Sequence, residues 1–229
     1  MEPDAQTLGL ASASLVRMMG LLVGLALLPF LLSMVSAFAK LVIVGGILRQ
    51  GLGMQQVPPT VVITGLALIL TIHIMSPVAE EAYRRYQALE AEDGPPGYEA
   101  ISRAVREPLS DFLAQHTQES NRTFLLSLRP AADAGAAPLA LSAEVEGWRE
   151  LLTVSAPAFL LTELTDAFRI GFLILLPFLI IDLVVGNVLL ALGMMMMSPQ
   201  MISLPLKLLL FLSLDGWREI MGGLAASYQ

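Results

Sequence analysis

Between Asp182 and Lys207 lie 24 consecutive residues without a charge, and at their centre stands Gly193-Met-Met-Met-Met-Ser-Pro199. A helix crosses the hydrocarbon core of a bilayer with about 20 apolar residues. A run of this length therefore belongs in a membrane or in the buried wall of a large apolar assembly. The glycine and the proline that bracket the methionines stop helices, which places the four methionines at the bend of a helical hairpin. Methionine is long, unbranched and polarizable, and it fills changing shapes without a fixed partner. Met194, Met195, Met196 and Met197 are then either the filling of a buried turn or a deformable seal around something that passes.

Two more runs have the same character. Met18–Ala39 is 22 residues without a charge, and Val57–Ala79 is interrupted only by His73. With 14% charged residues against roughly a quarter in soluble domains, the chain is too apolar for water. Of its 20 acids and 13 bases, 13 and 7 fall between Glu80 and Glu150. The expected organisation is all-α: apolar helices at residues 1–79, a soluble helical region at 80–150, and apolar helices with the methionine loop at 151–229.

Local signals refine this. The pair Pro58-Pro59 begins the second apolar helix, Gln55 and Gln56 before it serve backbone or intersubunit hydrogen bonds, and His73 is a satisfied buried polar group. In the middle region Gly94-Pro-Pro-Gly97 breaks a charged helix. Ile101, Val105, Leu109, Phe112 and Leu113 recur at helical spacing, continued by Phe124, Leu125 and Leu128. Pro130–Pro138 is a flexible loop, and Pro177 kinks or interrupts the helix it enters. The opening Glu2 and Asp4, with the first base at Arg17, lack the order of a secretory signal, so the N-terminus is expected to be retained.

The charges inside the apolar segments are the candidate functional residues. Lys40 and Arg49 stand nine residues apart on one helix and therefore on opposite faces. Each either snorkels to an interface or enters a buried ion pair. Glu163, Asp166 and Arg169 recur every three residues along one side of a helix, and Asp166 and Arg169 can pair. Asp182 and Lys207 flank the uncharged run, and Lys207 repeats the pattern of Lys40. All seven are costly in lipid and should face protein or water.

Several classes are excluded. The chain has no cysteine, hence no disulfide, thiolate metal site or cysteine nucleophile. Its formal net charge of −7 argues against nucleic acid. No phosphate loop, HExxH or GxSxG is present, so neither catalysis nor a cofactor or metal is expected.

The residues also resemble a known family, the FliP/SctR proteins of the type III secretion export apparatus. The resemblance runs from about Met34 to Trp217. It is carried by Ala37-Phe-Ala-Lys-Leu-Val-Ile-Val44, Leu48-Arg-Gln-Gly-Leu-Gly-Met-Gln-Gln-Val-Pro-Pro59, Pro157-Ala-Phe-Leu-Leu-Thr-Glu-Leu164, Leu176-Pro-Phe-Leu-Ile-Ile-Asp-Leu183, Gly193–Pro199 and Ile202–Phe211. It implies an all-helical subunit of the bacterial inner membrane. That subunit would be repeated around an axis as a homo-oligomer, a pentamer, with smaller membrane subunits, and would form the entry channel for unfolded secreted proteins. It implies that Met194–Met197 act as a gasket around that channel. It further implies that the apolar helices pack on one another, raised from the bilayer toward the periplasm, where hydropathy alone counts four spans. Lys40, Arg49, Glu163, Asp166, Arg169, Asp182 and Lys207 would then have protein partners within or between subunits. The wording around Glu163 and Lys40 is similar to the injectisome branch more than to the flagellar one; Thr162 and Leu206 depart from the family's serine and phenylalanine. From another class, an ion-coupled transporter would use Glu163, Asp166 and Asp182 as coupling carboxylates.

Overall fold

The computed structural model describes residues 5–54, 57–90, 96–128, 142–194 and 196–229. The expectations for Gln55 and Gln56, for Gly94 and for the Pro130–Pro138 loop, as well as Met195 of the methionine turn, lie outside the described residues. Among those described the chain is all-α: α1 (Ala5–Met34), α2 (Phe38–Gly51), α3 (Thr60–Glu90), α4 (Tyr98–Gln115), α5 (Glu119–Ser127), α6 (Ala143–Glu150), a π-helical turn (Leu151–Ser155), α7 (Ala156–Ala191), α8 (Pro199–Ser213) and α9 (Gly216–Ala226).

The organising contact is α2 on α7. The two helices run parallel, because Lys40 meets Glu163, the Cβ missing from Gly171 would lie 2.4 Å from Ile47, and that missing from Gly51 would lie 2.6 Å from Leu175. The two glycines are what allow the backbones to come this close. Leu41 and Val44 of α2 then share a buried cluster with Ala67 of α3, Ala167 of α7, and Met221 and Leu224 of α9. A second cluster joins Val35 to Phe112 and Leu113 of α4, Leu151 and Phe159. A third, of Leu48, Leu52, Phe178 and Phe211, closes the far end of α2.

Several local expectations change. The composition boundaries at 79/80 and 150/151 fall inside unbroken helix: α3 continues to Glu90, and Ala143–Ala191 is one helical rod through the π turn. Pro177 does not interrupt α7, which runs through it to Ala191, with the neighbouring Phe178 buried in the third cluster. The helix after Pro58-Pro59 begins at Thr60, with Pro59 supplying the carbonyl that Val62 donates to. His73 is exposed on α3, not buried. On α4 the packed face is Ala104, Pro108, Phe112 and Leu113, whereas Ile101 and Val105 are exposed. Phe124 and Leu128 of α5 are exposed too, so that helix buries no continuation of the stripe.

Among the described residues two helices are long and apolar enough to cross a membrane, Thr60–Leu89 and Ala143–Ala191, or three spans if Met18–Met34 and Phe38–Gly51, bent by 65°, count as one. This chain is a membrane protein by these helices, and its described residues hold fewer spans than the four of hydropathy. The segment after the methionine turn, α8, has 15 residues and a length of about 22 Å, too short for a span of roughly 30 Å. On α7, Phe168, Phe172, Leu173, Leu179, Ile180, Leu183 and Val184 remain exposed beside the buried stripe. A helix apolar all round requires lipid or other protein around it.

Candidate functional site

Two buried ion pairs and the turn between α7 and α8 make up the candidate site. The first pair lies near the start of α2. Lys40 Nζ is 3.0 Å from Glu163 Oε1, with side-chain exposures of 5% and 1%. Tyr228, just after α9, donates its hydroxyl to Glu163 Oε2 and places its ring 4.3 Å from the Lys40 ammonium. Burial, and then the Glu163 charge, push the Tyr228 phenol far above its usual range, so the hydroxyl keeps the proton it donates. Beside Glu163, Thr162 Oγ1 accepts from the Gln118 backbone N–H at 3.1 Å and from Asn121 Nδ2 at 2.9 Å, which seats α5 on α7.

The second pair lies at the other end of α2. Lys207 Nζ donates to Asp182 Oδ2 at 2.6 Å and to the Gly51 carbonyl at 3.1 Å. That carbonyl ends α2, where helix C=O groups have no partner of their own and the helix dipole favours a cation. Ser203, one turn before Lys207, donates to Asp182 Oδ1 at 2.6 Å. Lys207 is 5% exposed but Asp182 34%, so this pair is open to one side.

The hairpin tip follows from the chain's own capping. Gly193 adopts φ +71°, a left-handed conformation that favours glycine. Met194 N–H donates back to the Leu189 carbonyl and Gly193 N–H to that of Leu190. This 6→1 and 5→2 pairing is a Schellman cap. Ser198 is extended and Pro199 occupies the first turn of α8, the favoured start of a helix. Between these stops the described methionines are open to solvent. Met196 is fully exposed, and Met194 and Met197 are 41% and 43% exposed. Behind the turn, Leu179, Asp182, Leu183, Ser198, Pro199 and Gln200 line a cavity of about 670 Å³.

The other candidate charges are placed apart. Arg49, on the face opposite Lys40, donates to Thr60 Oγ1 at 2.8 Å and enters no ion pair among the described residues. Asp166 and Arg169 do not form the pair that their spacing allows. Asp166 accepts from Gln118 Nε2 at 3.4 Å, and Arg169 is exposed. Each three-residue step turns back about 60° around a helix. The row Glu163, Asp166, Arg169 accordingly drifts from buried through half-buried to exposed.

Sequence reasoning missed Tyr228, Ser203 and a separate polar knot. In that knot Glu144, nearly buried, accepts from Ser102 Oγ at 2.9 Å and Arg106 Nε at 3.1 Å, while Trp148 Nε1 donates to Ser102 at 2.6 Å. Ser203 could have been found, since it stands four residues before Lys207 on one helical face. Nothing local marks Tyr228 or Glu144, whose partners are tens of residues distant.

Comparison with known proteins adds to this geometry. The sequence profile of the FliP family matches residues 21–224. The chain is similar to the hypersensitivity response secretion protein HrcR of Ralstonia nicotianae, with 41% identity over 210 residues, 90% of this chain and 94% of that protein. The Yop proteins translocation protein R of Yersinia pestis is 42% identical over 207 residues, 89% of this chain and 92% of that one. Flagellar biosynthetic protein FliP of Cereibacter sphaeroides is 41% identical over 213 residues, 93% of this chain and 67% of that one.

Proposed function

This chain belongs to the FliP family, and on that premise we propose that it is a core subunit of a type III protein secretion export apparatus, in the injectisome branch. Relatives named for hypersensitivity-response secretion and Yop translocation support the branch; the flagellar counterpart is the second reading. The role is that of a channel wall and not of an enzyme. Several copies, a pentamer in our reading, surround an axis in the bacterial inner membrane together with smaller membrane subunits. The apolar faces of α1, α3 and α7 are covered by those neighbours and by lipid.

The observation that carries the mechanism is the exposure of Met194, Met196 and Met197 at the tip of the α7–α8 hairpin. Lys207 and Asp182 fix α8 to α7 and to the end of α2, so the tip is held while its side chains are free. In a ring of copies, such tips meet at the axis as a collar of flexible thioethers. Their contacts are weak, numerous and indifferent to sequence, so the collar excludes water and ions yet yields to any unfolded chain. Asp166, Arg169 and Arg49, which enter no ion pair among the described residues, are then available to set the register between copies.

Replacing Met194–Met197 by alanine tests this. Assembled complexes carrying the replacement should leak ions across the inner membrane while their mass and subunit ratio stay unchanged. Parental conductance in a fully assembled complex would sink the seal.

A further inference from the structure

Tyr228 lies beyond the segment that the family profile matches, which ends at residue 224. Its side chain nevertheless meets three elements at once. The hydroxyl reaches Glu163 of α7 and the ring covers the ammonium of Lys40 of α2. The same ring stacks on Phe112 of α4, with centroids 6.1 Å apart, and meets His116 at 5.3 Å. Tyr228 thereby packs on the cluster around Leu41 and Ala167 and also on the cluster around Phe112 and Phe159.

The charge pair depends on this cover. Glu163 satisfies one direction of the Lys40 ammonium and the aromatic face a second. A polar pocket of about 230 Å³ borders the pair, with Thr117, Gln118, Asp166 and Ser227 in its wall. Tyr228 is brought there by α9, which continues from α8 along α7, from the Phe178 end toward Glu163, after a joint at Asp215-Gly216. Asp215 takes a left-handed φ of 50°, and a Cβ on Gly216 would lie 2.2 Å from Phe211. From that joint onward α9 is held by Trp217, Ile220, Met221 and Leu224 against the α2 cluster.

We propose that α9 and Tyr228 form a clasp on the Lys40–Glu163 pair. Docked, the clasp holds the Glu163 carboxylate, covers the Lys40 ammonium and ties α4 to the α2–α7 pair. Lifted, it leaves the pair, whose Lys40 and Glu163 already line the polar pocket, without its aromatic cover and its hydroxyl donor. Tyr228 is thus a positioning residue that acts through Glu163, and this role stands independently of the methionine seal.

The absence of cysteine makes the clasp measurable. A single Thr117→Cys on the pocket wall reports opening by its rate of reaction with a charged maleimide, read on the full chain in membrane vesicles. Tyr228→Phe keeps the ring and removes one hydrogen bond to a charged group, so labelling should accelerate on the order of tenfold. Tyr228→Ala should be faster still. A second reporter, Ser110→Cys in the neighbouring cavity between α4 and the π turn, whose wall Thr117 also joins, should keep its parental rate in Tyr228→Phe, so that acceleration at Thr117→Cys alone reports the polar pocket. In a Glu163→Gln background the added effect of Tyr228→Phe should shrink to less than about twofold, since the two groups act as one unit. An unchanged Thr117→Cys rate in Tyr228→Phe, equal acceleration of both reporters, or an undiminished effect beside Glu163→Gln would each overturn the clasp.

Discussion

The chain carries one lysine–carboxylate pair near the start of α2 and another at its end, and the two differ in what surrounds them. Lys40–Glu163 buries both of its partners, with exposures of 5% and 1%, and is roofed by Tyr228. Lys207–Asp182 encloses the lysine alone; its carboxylate is 34% exposed and looks onto the cavity behind the methionine turn. Removing solvent from both charges makes their mutual attraction strong but makes a widowed partner very costly. Leaving one charge wet lowers both effects. The first pair is therefore suited to fixing helices tightly while Tyr228 covers it, and the second to fixing a helix while its carboxylate stays accessible to water or to a neighbouring subunit.

The sharpest break of this contrast is Glu163→Ala, which strands the Lys40 ammonium. It should cost about 3–5 kcal/mol, read as a lower unfolding midpoint in detergent and as loss of accumulated protein. Combining it with Lys40→Met should restore most of the loss, and a double variant as unstable as the single one would show that the pair is not the cause. Lys207→Met should cost less, about 1.5–3 kcal/mol, because Asp182 keeps Ser203 and water while the Gly51 carbonyl loses its donor. If it equals or exceeds Glu163→Ala in the same assay, the distinction by exposure is wrong. Gly171→Ala probes the contact between the two pairs. Its new methyl would press on Ile47, costing about 1–3 kcal/mol, and Ile47→Val should relieve part of it. Smallest is Met196→Ala, within about 0.5 kcal/mol in the isolated subunit, because that side chain is fully exposed there. A larger change in unfolding midpoint would mean the turn is anchored within its own chain.

Much of this architecture was legible from local chemistry. The stops at Gly193 and Pro199, the opposed faces of Lys40 and Arg49, and the cost of bases inside apolar runs all act over one or two helical turns. The pattern failed where packing overruled it. Ile101 and Val105 carry the periodicity of a buried stripe, yet α4 buries Ala104 and Pro108 in its first half, so the start of the stripe is rotated outward while Phe112 and Leu113 stay buried. Asp166 and Arg169 had the spacing to pair, but Gln118 from α5 meets Asp166 instead.

The sequence by itself determined an all-helical membrane protein, the hairpin with its methionine tip, and the set of charges that must find partners. Those follow from hydrophobic run length, helix-stopping residues and the cost of burying charge, which are properties of short segments. Only the tertiary structure decided which partners they find: Glu163 for Lys40 across 123 residues, Asp182 and the Gly51 carbonyl for Lys207, and Tyr228 over the first pair. The reason is physical. Which carboxylate faces which ammonium depends on how closely α2 and α7 approach, and two glycines 120 residues apart set that distance together.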